Sequence, residues 1–195
     1  MGTRSESEQV GRLIVVSGLP GVGKTSVAAA IASRMRAVHL SIDAVEEALL
    51  GCGLPSTRRV GVAAYEAARV TAELNLRLGR LVVVDAVNDS EEARQTWRSA
   101  ADAVDVELVF VHLVFSDEGT HRRRLVGRRR GFSHVSEPTW VDVQRRRVEY
   151  DPWNDDHIEI DTSLHTLEET ADSLISLVTC NGASERCAVP PRSQE

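Results

Sequence analysis

The sequence predicts an α/β fold in which a parallel sheet is covered by helices on both faces, and three observations predict it. Five apolar runs rich in Val, Leu and Ile alternate with longer stretches that place apolar residues at i, i+3, i+4 and i+7. Alternation of this kind is the mark of strands joined by crossover helices. A glycine-rich turn separates the first run from an alanine-rich helical stretch, and the length of 195 residues fits one domain.

The elements follow in order. Residues 13–17 (LIVVS) form the first strand, and 24–36 the first helix. The second strand is 38–42 (VHLSI), followed at once by a short helix over 44–50 and a loop over 51–55 (GCGLP). A helix within 57–78, most strongly periodic from Tyr65, ends at Gly79. The third strand is 81–84 (LVVV), and Ser90 before Glu91 and Glu92 is the N-cap of a helix over 91–103. Residues 107–115 (ELVFVHLVF) make the fourth strand. Helices over 117–130 and 139–150 flank a loop at 131–138, a short fifth strand covers 158–160, and a last helix covers 167–178. Residues 1–11 are expected to be a flexible N-terminus, 12–180 one domain, and 181–195 a disordered tail.

Composition excludes several classes. No apolar run approaches the roughly 18 residues of a membrane span, and the first ten residues are polar rather than signal-like, so the chain reads as cytoplasmic. Three cysteines, at 52, 180 and 187, match no metal-ligand spacing and read as free thiols. Only eight aromatic residues are available, which leaves most of the packing to Val, Leu, Ile and Ala. Of 23 basic side chains one is a lysine, Lys24; the others are arginines. The net charge of −6 hides a cationic segment, for residues 122–147 hold nine arginines against two acids, Glu137 and Asp142.

The glycine-rich turn carries chemistry. Gly18, Leu19, Pro20, Gly21, Val22, Gly23, Lys24 and Thr25 fit G-x-x-x-x-G-K-[ST] between a strand and a helix, with Ser26 following. Glycines let successive backbone N–H groups turn inward toward phosphate oxygens, and the helix adds its positive N-terminal end. Lys24 is expected to reach the β- and γ-phosphates, and the Thr25 hydroxyl to ligate Mg²⁺. The dinucleotide fingerprint G-x-G-x-x-G is not matched. In an open parallel sheet, acids at the carboxyl ends of strands face the ligand. Asp85, after LVVV, is expected to hold Mg²⁺, and Asp43, after the second strand, to accept the proton of an attacking hydroxyl; each also fits a helix N-cap. Phosphoryl transfer further needs cations that close over the phosphates. Arg124 and Arg128, four apart on one face of the 117–130 helix, are the candidates within a lid spanning about 117–150.

With these parts in this order the sequence resembles a group of P-loop kinases that includes shikimate and gluconate kinases, adenylylsulfate kinase, chloramphenicol phosphotransferase, zeta toxins and the 5′-kinase domain of polynucleotide kinase. It is most similar in style to small bacterial AAA-type ATP-binding P-loop kinases related to that last domain. The resemblance covers about residues 12–178 and rests on the Gly18 to Thr25 loop, Asp43, Asp85-Ala86-Val87-Asn88, Arg124-Leu125-Val126-Gly127-Arg128 and Tyr150-Asp151-Pro152. It implies a five-stranded P-loop NTPase sheet of order 2-3-1-4-5, ATP with Mg²⁺, and Asp43 as the base. Substrate contacts are expected from Asp43, Arg58 and Asn88, the last also fitting a purely structural turn.

The expected activity is transfer of the γ-phosphoryl group of ATP to a hydroxyl of a small molecule such as a sugar, nucleoside or antibiotic, by a monomer or homodimer. A polynucleotide 5′-hydroxyl kinase and a non-kinase ATP-dependent switch are the alternatives. The acidic body, which repels phosphate backbones, argues against nucleic acid. Six histidines form no HExxH or paired-cysteine arrangement, and His157-Ile158-Glu159 lacks the P-C-x-x-C that a zinc deaminase requires. Trp153 is open between stacking near adenine and packing a turn.

Overall fold

A computed structural model describes residues 11–128 and 131–180. The expected flexible start and disordered tail, Arg129, Arg130 and Cys187 lie outside these residues. The strands are β1 (Arg12–Ser17), β2 (Val38–Ser41), β3 (Val82–Asp85), β4 (Glu107–Val114) and β5 (His157–Asp161). The helices are α1 (Lys24–Met35), α2 (Ile42–Gly51), α3 (Arg58–Leu76), α4 (Glu91–Asp102), α5 (Glu118–Gly127), α6 (Trp140–Glu149) and α7 (Leu167–Cys180). All strand pairings are parallel and the order is β2-β3-β1-β4-β5. This is the α/β P-loop NTPase architecture.

Period-two alternation divides the core into two layers. Ile14 and Val16 of β1, Val83 of β3, and Val111 and Leu113 of β4 pack toward α1 and α7, against Val27, Ile31 and Leu174. Leu13, Val15, Val82, Val84 and Phe110 pack on the other face toward α3 and α4, against Ala68, Ala72 and Trp97. β1 is central and covered on both faces, which is why five of its six residues are buried. The small residues Ala64, Ala68 and Ala72 form one buried stripe on α3 and allow it to lie close to the sheet.

Element boundaries differ from expectation where a tertiary contact decides them. β2 stops at Ser41, and buried Ile42 opens α2, so Asp43 lies in the first helical turn instead of closing a strand. α3 begins at Arg58, seven residues before its strongest periodicity, because Val60 and Ala64 are already buried. α5 ends at Gly127 and Arg128 is extended (φ −77°, ψ 147°), so the expected shared helical face of Arg124 and Arg128 does not form. Ser90 does cap α4, accepting from the Ala93 N–H at 3.3 Å. No helix among the described residues is long and apolar enough to cross a membrane.

Candidate active site

The carboxyl ends of β1, β2 and β3 open into a cleft of 1290 Å³ bounded by the turn after β1, by α2, the start of α3, the β3–α4 connection and the α5–α6 segment. Its floor is the 18–25 loop. Gly18 has φ 135°, and a side chain there would collide with the Leu113 carbonyl of β4. Gly23 (φ 105°) is the N-cap of α1; it supplies no capping side chain, and the first turn of α1 holds no acid. The open N–H groups of that turn therefore point positive charge into the cleft, the arrangement that receives phosphate. Lys24 Nζ donates to the Leu19 carbonyl at 3.1 Å. Burial lowers its pKa to about 8, against the opposing pull of Asp43 and Asp85, with Arg128 and Arg146 lowering it further. A buried ammonium whose desolvation two carboxylates only partly offset is ready to gain from an arriving polyanion.

Beside the loop, Thr25 Oγ1 donates to Asp85 Oδ1 at 2.8 Å. Asp85 is nearly inaccessible, and its other oxygen accepts from His39 Nε2 at 2.8 Å, with the Ser41 hydroxyl donating to Oδ1 at 3.3 Å. A hydroxyl and a carboxylate oxygen in contact are the hard donors a magnesium ion takes, so this pair fits the metal that the loop motif implies. Asp43 lines the same cleft from α2.

The arginine segment closes the opposite side. Arg124 lies over the Phe115 ring, 5.1 Å from its centroid, and the nearest atom to a side chain placed at Gly23 would be its Nη2, at 3.7 Å. Arg128 lines the cleft with its Nε 3.2 Å from Glu137 Oε2. His121 of α5 is fully buried and donates through Nε2 to the Pro20 carbonyl at 2.8 Å, joining the lid helix to the loop. Burial pushes His121 below the usual imidazole range, opposed by that hydrogen bond and assisted by Arg147, Arg124 and Lys24.

A family model described as an AAA domain matches residues 13–150. The chain belongs to that family. No curated protein matches the sequence. Among solved structures, the "putative kinase" of Chloroflexus aurantiacus is 20% identical, with a TM-score of 0.71 over 88% of this chain and 98% of that one. A gluconokinase from Sinorhizobium meliloti is 22% identical, with a TM-score of 0.63 over 86% of this chain and 91% of that one. The Mycobacterium tuberculosis APS kinase, solved with AMPPNP and APS, is 20% identical, with a TM-score of 0.65 over 87% of this chain and 98% of that one. This AAA-domain chain is thus kinase-like in its P-loop fold.

Within the AAA domain, Pro20, Gly21, Gly23, Lys24, Thr25, Ser26, Asp43, Arg58, Arg124 and Arg128 all border the cleft. Gly18, Leu19 and Val22 support the loop from below; Val22 is buried and its carbonyl accepts from Thr162 Oγ1 at 2.7 Å. Asn88 corrects an expectation. It is fully buried with φ 53°; Nδ2 donates to Ser17 Oγ at 2.8 Å, and Oδ1 accepts from Trp97 Nε1 at 2.9 Å. Each end of its amide is engaged inside the fold, and the side chain is fully buried and does not line the cleft. Trp153 packs on Phe110 and His157, away from the cleft.

Residues the sequence did not single out also reach the site. His39 orients Asp85. Tyr65 lines the cleft, its hydroxyl accepting from the Asn88 N–H at 3.3 Å, and burial holds its pKa well above the usual tyrosine value. Arg146 of α6 pairs with Asp89 at 3.0 Å at the rim. Glu47 of α2 accepts from the Ser133 and Val135 N–H groups, both at 2.7 Å, and from His134 Nδ1 at 2.9 Å. Desolvation alone would raise the Glu47 pKa, but these donors hold it at about 2. Arg94, fully buried, donates to the Asn88, Asp151 and Pro152 carbonyls and ties the end of the lid to the β3–α4 connection. Periodicity could mark only His39 and Ser41, the polar residues at i and i+2 of a short strand; the contacts themselves are long-range.

Proposed function

We propose that the chain is an ATP-dependent kinase that transfers the γ-phosphoryl group to a hydroxyl of a small molecule such as a sugar, nucleoside or antibiotic. The observation that carries this reading is one cleft bordered both by the phosphate cradle and by Asp43. Its 1290 Å³ exceeds the roughly 1,000 Å³ upper range of a pocket for one small ligand, which suits two substrates side by side.

The loop amides and the open first turn of α1 hold the phosphates, and Lys24 exchanges the Leu19 carbonyl for phosphate oxygens. Thr25 and Asp85 would hold Mg²⁺, which when bound would supply neutralisation of phosphate charge. His39 keeps the Asp85 carboxylate in place. Asp43 orients the acceptor hydroxyl and takes its proton as the oxygen forms its bond to the γ-phosphorus; the bond from that phosphorus to the β–γ bridging oxygen breaks, and ADP leaves. Arg124 and Arg128 offset the charge on the transferred group, and Arg58 borders the acceptor side. The acids Asp43, Glu46, Glu66, Asp89 and Glu92 along the walls favour an uncharged or cationic acceptor over a phosphate chain.

A γ-labelled ATP transfer screen over metabolite, nucleoside, antibiotic and 5′-hydroxyl oligonucleotide pools tests the reading. With the acceptor found, Lys24→Ala abolishes turnover, and Asp43→Asn lowers kcat by ~10²–10⁴-fold with ATP affinity nearly unchanged. Wild-type transfer by Asp43→Asn would exclude it as the base. Salt-steep oligonucleotide binding with label on the 5′ end would move the assignment to a polynucleotide kinase. ATP binding with no labelled product from any pool would favour a switch.

A further inference from the structure

On the sheet face away from the loop's main helix, β4 and β5 bring three metal-ligating side chains together outside the cleft. His112 of β4 is the register partner of Glu159 of β5, and His157 precedes Glu159 by two residues. Residues i and i+2 of a strand share one face, and a cross-strand neighbour shares it with them. The motif His157-Ile158-Glu159 thus finds its third member 45 residues upstream of His157, in a strand that sequence spacing cannot associate with it. One ligand atom from each of the three side chains lies within 4.8 Å of the others.

We infer that His112, His157 and Glu159 form a binding site for a divalent zinc-class metal ion. Around tetrahedral zinc, bonds of ~2.0–2.1 Å put neighbouring ligand atoms ~3.3–3.4 Å apart. His112 Nδ1 and Glu159 Oε2 are 3.4 Å apart. That nitrogen is buried and, apart from this approach to the carboxylate, has no partner among the described residues, so in the tautomer protonated at Nε2 its lone pair is available to an ion. His157 Nδ1 donates to the Asp155 carbonyl at 2.9 Å, the contact that fixes a metal-binding imidazole in one tautomer and leaves its Nε2 lone pair for the ion.

Aromatic neighbours hold the two rings. Trp153 stacks on His157 at 4.6 Å between centroids and lies 5.3 Å from His112, with Tyr150 at 5.5 Å on the other ring contact. Burial keeps His112 below its ordinary pKa, against the pull of Glu159 and with His157 and Arg94 adding to the lowering. Arg94 is a cation close to this cluster, 4.7 Å from the Trp153 ring centre. Its charge is engaged by Glu91 at 3.3 Å and by three backbone carbonyls. Two imidazoles with one carboxylate select zinc, cobalt or nickel over magnesium and calcium, which separates this site in chemistry from the Thr25–Asp85 pair. Glu159 is more than half exposed, so the ion keeps an open position toward solvent. Bound there, it would join β5 to β4 beneath the 150–153 turn, at the root of the lid.

The test uses the full chain without an affinity tag, stripped with chelator and dialysed against micromolar zinc in millimolar magnesium. One zinc per chain is expected by elemental analysis, and cobalt in its place is expected to give the intense visible absorption of a tetrahedral site. His157→Gln and Glu159→Gln, both at partly or fully exposed edge-strand positions, should each weaken zinc binding at least ~10-fold while the far-ultraviolet circular dichroism is kept. Cys52→Ser, at an exposed thiol remote from the cluster, should bind as wild type. Absence of stoichiometric zinc from the wild type, or unchanged affinity in both β5 variants, overturns the assignment.

Discussion

Replacing Asn88 tests the claim that this residue builds the cleft rather than touching its contents. Asn88→Ala removes the acceptor of the fully buried Trp97 Nε1 and the donor to the fully buried Ser17 Oγ. A buried donor left without a partner costs ~1–3 kcal/mol. The backbone at this position has φ 53°, which asparagine tolerates better than alanine, adding about 1 kcal/mol. The sum is about 3 kcal/mol, or about 9 °C in Tm for a domain of this size. Asn88→Gly removes the same hydrogen bonds but relieves the backbone, so it should fall less than Asn88→Ala by up to about 1 kcal/mol. Urea titration followed by fluorescence and circular dichroism gives both values, provided the m-value is unchanged. If Asn88→Ala kept wild-type stability and instead raised only the acceptor KM, the structural account of Asn88 would be wrong.

Two further predictions concern charge. Lys24 loses its proton in the free protein near pH 8 instead of 10.5. The unfolded chain therefore holds more protons across that window, and the lysine's contribution to stability grows as pH rises through it. Phosphate binding restores the charge, so calorimetry of Mg-ATP binding at about pH 9 in buffers of different ionisation enthalpy should detect proton uptake that vanishes near pH 6.5 and in Lys24→Met. Glu47→Gln should strip hydrogen-exchange protection from the amides of Ser133, His134 and Val135, because a neutral amide accepts from them more weakly than a carboxylate. The Glu47 pKa is lowered from 4.5 to about 2. Wild-type protection of this loop is thus complete above about pH 4.5 and is lost as pH falls through about 2; equal exchange in wild type and variant at neutral pH would contradict the latch.

The separation of fold from site is visible in individual residues. The alternation of apolar runs with helical stretches, the strand-to-helix glycine loop and the acid after the third strand are local signals, because burial of a parallel strand and the turn geometry of a phosphate cradle each constrain neighbouring residues. They were sufficient for the fold, and the strand order expected from the resemblance is the order observed. Asn88 was ambiguous for a reason that is also physical. Asparagine suits both a polar contact and a left-handed backbone, and only the presence of Trp97 and Ser17 at its amide determines which.

The sequence by itself determined the parallel sheet, the phosphate loop with its single lysine, and the concentration of arginine after β4. Lys24 is legible because a compact ammonium between phosphates is needed at one fixed place in one motif. The tertiary structure alone decided which of the described arginines after β4 approach the loop, why His39 faces Asp85, how Glu47 secures residues 133–135, and that His112 meets His157 and Glu159. These depend on side chains from distant segments arriving at one point, and chain separation carries no record of a meeting that the sheet order creates.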